Sequence, residues 1–167
     1  VKVWRVENGE AVATFAAHAA RAKALQSASA VAFAPSGQSV LVGHLDGTVR
    51  LLGLTSGGTL RSFSGHSSFV NSVAYFGAHL ALSGSSDGTV RVWDTRSTSV
   101  LRTVRLPAAQ PGAPPSAVNS VCAIPDDPTR AVACTASPYI YVFATGDGSV
   151  ITRLSHGRPV AVSYTHL

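Results

Sequence analysis

The chain has 167 residues, 46% of them hydrophobic and only 13% charged, which is the length of one domain with about half the usual charge. The net charge of +5 comes almost wholly from arginines set singly. No basic run marks a nucleic-acid patch, and no apolar run approaches the ~18 residues of a membrane span. The positive sign suits RNA or an acidic partner, and the scattering of the charges makes direct RNA contact the lesser expectation.

Val1–Val6 (VKVWRV) opens the chain mid-strand, as expected of a piece of something longer. Asn8-Gly9 is a turn, and Ala11–Ala16 is a second strand that ends near His18. Ala19–Ser29 is Ala-rich and reads as a surface insertion. Ala30–Ala34, Ser39–Leu45, Thr48–Leu54 and Thr59–Phe63 are expected strands, separated by turns at Pro35-Ser36-Gly37, Asp46-Gly47 and Thr55–Gly58.

The most informative stretch is His66 to Asp94. Gly65-His66 precedes VNSVAY (Val70–Tyr75) and LALSGS (Leu80–Ser85); the tight turn Asp87-Gly88 then leads into TVRVWD (Thr89–Asp94). Val100–Leu106 follows as a fourth strand. Pro107–Pro115 (PAAQPGAPP) holds five prolines and glycines in nine residues and is a loop. A proline-rich ligand for an aromatic groove is the functional alternative. Val118–Ile124, a turn at Pro125–Thr129, Ala131–Thr135, Tyr139–Phe143 and Ser149–Leu154 complete another unit, with His156 beyond it. A further first strand is expected near Pro159. Val162–Leu167 (VSYTHL) matches no unit and is expected to belong to no fold.

The spacings repeat. Asp46 recurs as Asp87 and Leu52 as Trp93, both 41 residues on. Trp4 to Leu52 and His18 to His66 are both 48, the excess fitting the Ala-rich insertion, and Val118-Asn119-Ser120-Val121 repeats Val70-Asn71-Ser72-Val73 at 48. A four-strand unit about every forty residues is the signature of propeller blades.

Gly65-His66, Asp87-Gly88 and Trp93-Asp94 resemble the WD-repeat (WD40) family. The segments VKVWRVENGE, GLTSGGTLRSFSGHSSFVN (Gly53–Asn71), SSDGTVRVWD (Ser85–Asp94) and VNSVCAIPDDP (Val118–Pro128) resemble its Smu-type spliceosomal members. The resemblance implies an all-β, partial propeller of about three full four-stranded antiparallel blades with part-blades at each end. These are the end of a truncated blade over 1–18, blades over 19–66, 67–106 and 107–156, and over 157–167 the start of another blade or a tail outside the fold. It also implies a nuclear, non-catalytic interaction scaffold in pre-mRNA splicing, with spliceosomal proteins as partners. A generic adaptor, such as a ubiquitin-ligase substrate receptor, is the alternative.

His66, Ser83, Asp87 and Trp93 converge in one blade on this reading, with Ser85 the alternative to Ser83. Out of context, Ser, His and Asp suggest a hydrolase triad. The resemblance implies instead an internal hydrogen-bond network, and no nucleophile elbow (Gly-x-Ser-x-Gly) is expected. The second blade has Val42 and Leu52 where the third has Ser83 and Trp93; the last has Phe143 for the Trp and no Asp at its turn. Lys2, Arg50 and Arg91 share one repeat position, taken by Tyr141 in the last blade, and form a candidate basic interaction series. His44, His79 and His166 show no metal-ligand spacing, and no phosphate-cradling Gly loop occurs, so no metal, cofactor or small-molecule substrate is expected. Cys122 and Cys134, on neighbouring strands, are expected to be buried free thiols.

Overall fold

Fourteen β-strands, each a short β-branched or aliphatic run closed by turn residues, make up the secondary structure of the computed structural model, which describes residues 1–15, 27–125 and 127–155. Sheet one pairs β1 (Lys2–Trp4) with β2 (Ala11–Thr14). Sheet two holds β3 (Ala28–Phe33), β4 (Ser39–His44), β5 (Val49–Gly53) and β6 (Thr59–Phe63). Sheet three holds β7 (Val70–Phe76), β8 (Leu80–Ser85), β9 (Thr89–Asp94) and β10 (Val100–Arg105). Sheet four holds β11 (Val118–Ile124), β12 (Asp127–Thr135), β13 (Tyr139–Ala144) and β14 (Val150–Ser155). Every pairing is antiparallel between consecutive strands, and the described residues hold no helix. The expected all-β architecture of repeated four-stranded blades is borne out, with the ring of sheets left open.

The repeat extends to backbone irregularities. Trp4 pairs with Ala11, Leu52 with Thr59, Trp93 with Val100 and Phe143 with Val150, a separation of seven residues each time. A register shift falls beside each of these pairs. On their other side Leu52 pairs with Val40, Trp93 with Ala81 and Phe143 with Ala131. Four segments of different sequence thus put their large third-strand residue at one place in successive sheets.

Apolar side chains fuse neighbouring sheets. Phe15, Val40, Val42 and Leu52 join sheets one and two. Leu41, Val49, Leu51 and Phe63 of sheet two meet Val70, Val73, Ala81 and Trp93 of sheet three. Leu82, Val90, Val92 and Val104 of sheet three meet Val118, Val121, Tyr141 and Phe143 of sheet four. Both faces of an inner sheet are buried in this way, which is why the charge content is low. The first strands β3, β7 and β11 lie side by side and line a concave groove of about 710 Å³.

The sheets meet closely where a glycine faces the next first strand. A Cβ on Gly84 would lie 2.6 Å from a Val118 methyl and 2.9 Å from a Val121 methyl; one on Gly43 would lie 2.7 Å from a Val70 methyl. Gly84→Ala is expected to cost about 2 kcal/mol by overpacking, and Val118→Ala in the same chain to return part of it, as read by denaturant melts.

Two strands start two or more residues earlier than expected, and β1 ends two residues short, at Trp4. β12 begins at Asp127, within the expected turn Pro125–Thr129. Pairing of β12 with β13 starts only at Arg130, so Pro128 sits where no ladder bond is required of it. β3 starts at Ala28, two residues early, because the chain past its bulge still pairs with His44. Ala16, His18, most of the Ala-rich insertion, Asp126, His156, the strand near Pro159 and VSYTHL lie outside the described residues.

Candidate functional site

Sheet three brings His66, Ser83, Asp87 and Trp93 together. Asp87 ends a tight turn in which its backbone N–H is received by the Ser85 hydroxyl at 3.1 Å. The other carboxylate contacts fix the loops on either side. One oxygen accepts from the Thr89 backbone N–H at 2.9 Å and from the Thr89 hydroxyl at 2.7 Å. The other accepts from the Ser67 N–H at 3.1 Å and lies 2.9 Å from His66 Nδ1. His66 Nε2 is 2.7 Å from Ser83 Oγ, which accepts the Trp93 indole N–H at 2.8 Å.

Electrostatics sets the direction of this chain. Burial opposes ionisation of Asp87, but the hydrogen bonds from Thr89, His66 and Ser67 outweigh it and hold the carboxyl at about 2. Burial pushes the His66 imidazole below its ordinary 6.5, against the pull of Asp87. The ring is therefore neutral, donates from Nδ1 to Asp87, and accepts the Ser83 hydroxyl proton at Nε2. Trp93, Ser83, His66 and Asp87 form one directed line of donors.

Stability should follow acidification in two stages. Because the folded His66 is the weaker base, the unfolded chain takes up its proton first, and stability falls as pH drops below 6.5. Because the folded Asp87 is the stronger acid, its contribution is complete above 3.8 and is lost between 3.8 and about 2. Below pH 6.5 the wild-type chain should lose up to about 1.4 kcal/mol per pH unit more than His66→Asn, read by urea melts across pH.

The Ser-His-Asp spacing is that of a triad, but the serine is sealed. Ser83 is 0% exposed, and its oxygen already accepts the Trp93 indole. An acyl carbon has no approach to it, and no oxyanion donor faces it from the residues of this network. The expectation that the chain lacks a Gly-x-Ser-x-Gly run needs correction: Gly84-Ser85-Ser86-Asp87-Gly88 has that spacing. It is a strand-to-strand turn closed by Gly88 N–H to the Ser85 carbonyl at 3.1 Å, not a strand-to-helix elbow. Its central Ser86 hydroxyl is bonded by Asn71 Nδ2 at 2.9 Å.

The neighbouring sheets replace this network with apolar contact. Val42 and Leu52 are buried at the Ser83 and Trp93 positions of sheet two, and Ala133 and Phe143 at those of sheet four. Asp46 bonds the Thr48 N–H at 2.9 Å, the Thr48 hydroxyl at 2.6 Å and Arg50 at 3.5 Å. Burial opposes its ionisation too, yet these bonds lower its pKa.

The basic series is largely engaged within the fold. Arg91 donates to the Gly65 carbonyl at 2.8 Å, and its guanidinium lies over Trp93. Tyr141, at the same repeat position, donates its hydroxyl to the Pro107 carbonyl at 3.0 Å. Gly65 and Pro107 each lie two residues past a fourth strand, so this position ties a sheet to the connection leading into it. Arg50 pairs with Asp46, and exposed Lys2 sits 5.6 Å from the Trp4 ring centre. The proline-rich loop turns at Gly112 (φ +80°), where the Ala113 N–H meets the Gln110 carbonyl at 3.1 Å. That turn breaks the left-handed extended helix a groove ligand needs. Cys122 and Cys134 are free thiols, both pushed up by burial. Among the described residues no group of three metal-ligating side chains occurs, and no helix is long and apolar enough to cross a membrane.

Sequence reasoning missed Thr89, and of the two serines it weighed, Ser83 holds the His66 and Trp93 contacts while Ser85 receives the Asp87 N–H. The signal was present, since Asp-Gly-Thr occurs at both 46–48 and 87–89.

Residues 9–51 and 57–94 match the WD domain, G-beta repeat family (WD40). The chain is 36% identical to the WD40 repeat protein poxJ of Penicillium oxalicum over 78 residues, 44% of this chain and 23% of that protein. It is 31% identical to the mouse tRNA (guanine-N(7)-)-methyltransferase non-catalytic subunit WDR4 over 121 residues, 68% of this chain and 29% of that one. It is 30% identical to Autophagy-related protein 16 of Arabidopsis thaliana over 127 residues, 75% of this chain and 24% of that one. The chain thus spans about a quarter of the length of these relatives. With its Gly-His, Asp-Gly and Trp-Asp elements inside the matched residues, and the same sheet built again over Val118–Ser155, the chain carries repeats of the WD40 family.

Proposed function

We propose that the chain is a non-catalytic scaffold for binding other proteins, part of a propeller in a nuclear pre-mRNA splicing factor. The observation that carries the scaffold reading is the sealing of Ser83: the Ser-His-Asp constellation found among the described residues is consumed in holding loops and strands together. What remains exposed is turns and outer strands on a rigid stack of sheets, a surface suited to docking. The splicing reading is supported by the resemblance of Gly53–Asn71, with its GHSSFVN run and its Leu-Gly-Leu in place of Trp-Asp, to the Smu-type members. The relatives above have different roles by name, so the general repeat pattern does not discriminate among adaptors.

Affinity purification of the full-length protein from nuclear extract, after ribonuclease treatment, tests the proposal. Proteins of the spliceosome before activation are expected to co-purify. Recovery of cullin-ligase subunits instead would favour the substrate-receptor reading and overturn this one. An affinity for RNA that falls steeply with salt would make the arginines the binding surface; a flat salt response is expected.

A further inference from the structure

The last strand of every sheet breaks register at the same place, and the residue left over is aliphatic each time. Pairing with the neighbouring strand passes over Val12 in sheet one, Leu60 in sheet two, Leu101 in sheet three and Ile151 in sheet four. Each of the four is 49 or 50% exposed. One flank of such a side chain packs on its own sheet: a Cβ on Gly53 would lie 3.1 Å from both Leu60 methyls. The other flank is in solvent, as expected where a bulge re-aims the side chain it carries. Exposed aliphatics scattered singly are ordinary. One class of residue at one bulge in four sheets of different sequence is not scatter.

Charge follows the same strands. β2, β6, β10 and β14 carry Arg61, Arg102, Arg105 and Arg153 and no Asp or Glu. Leu60-Arg61 recurs as Leu101-Arg102, 41 residues on. β6, β10 and β14 each end their sheet, so one backbone edge of each has no strand beside it among the described residues. Bulges and charges are the usual guards of an open edge. Here the guard has one sign: it repels a second copy of the same edge and favours a strand of opposite charge.

β10 is the most open of the three. Arg61 is half-buried and Arg153 lies over the Tyr139 ring, whereas Arg102 and Arg105 are both exposed. Arg102 donates to the Gly146 carbonyl at 2.6 Å; Arg105 has no hydrogen-bond or ion-pair partner among the described residues. Val100, beside Leu101, is 41% exposed. Beyond the bulge Arg102 to Arg105 pair residue for residue with Val92 to Thr89, a regular run.

We propose that the outer edge of β10 takes up an extended acidic segment of another protein as an added strand. Main-chain hydrogen bonds hold it, its acidic side chains face Arg102 and Arg105, and an aliphatic one covers Val100 and Leu101. The inference rests on the scaffold reading and is independent of the splicing assignment.

The test uses the full-length protein and a labelled peptide in which Glu alternates with Val and Leu, read by fluorescence anisotropy and by hydrogen exchange. Saturable binding is expected, with exchange slowed in Val100–Arg105. Arg105→Glu and Leu101→Asp, both at exposed positions, should each weaken it about tenfold. A peptide with Lys in place of Glu should not bind, nor should one N-methylated at every residue, which keeps the charge and removes the donors. No saturable binding up to about 1 mM, protection confined to other strands, affinity unmoved by both substitutions, or equal affinity for either control peptide would overturn the proposal. Should the peptide fail while partner proteins still co-purify from nuclear extract, this site falls and the scaffold reading stands.

Discussion

Asp87→Ala is expected to lower the thermal midpoint by about 10 °C, and Asp46→Ala by about 3 °C. The two aspartates occupy the same turn in successive sheets but hold different things. Removing the Asp87 carboxylate strands His66 Nδ1 and the Ser67 N–H as well as both Thr89 donors. Leaving buried donors without partners costs about 3 kcal/mol in such a network, and each kcal/mol moves the midpoint of a chain this size by about 2–4 °C. Asp46 holds Thr48 and, at 3.5 Å, Arg50, contacts worth about 1 kcal/mol together. Equal shifts in calorimetry would contradict the assignment of sheet three as the tightly networked one.

Ser83→Ala is expected to cost about 3 kcal/mol alone, because it orphans both His66 Nε2 and the Trp93 indole in a fully buried place. Trp93→Phe should cost about 2 kcal/mol, from lost packing against Phe63 and a lost bond to Ser83. The double variant should fall short of the sum by about 1–2 kcal/mol. The shared bond is then removed once, and the pair becomes the Ala133 and Phe143 that sheet four already buries at these positions. A double-mutant cycle by urea denaturation measures the coupling. Strict additivity would mean that the two side chains act independently.

The strands were legible where hydrophobic alternation met unambiguous turn residues. Thr59–Phe63, Leu80–Ser85, Thr89–Asp94 and Val118–Ile124 stand at their expected bounds. The start of β12 was not legible, because Asp-Asp-Pro is turn chemistry in isolation; only the late start of β13 pairing frees Pro128 from the ladder. Within the polar network, His66, Asp87 and Trp93 stood out as rare residue types at a fixed spacing. Thr89 is an ordinary strand residue until the fold turns it toward Asp87. The role of the Arg91 position was hidden for another reason. Its shared feature is an acceptor, the carbonyl two residues past the preceding fourth strand, and a carbonyl leaves no mark in the residue letters.

The central claim is that the Ser-His-Asp-Trp line is an internal brace with one fixed direction of donation. NMR of the imidazole nitrogens and the indole proton addresses it most directly, at neutral pH and after transfer to D₂O. The account predicts a neutral His66 with its proton on Nδ1, and a Trp93 indole proton that persists as long as the slowest backbone amides. A His66 protonated on Nε2, or an indole proton exchanged within the dead time, would contradict it.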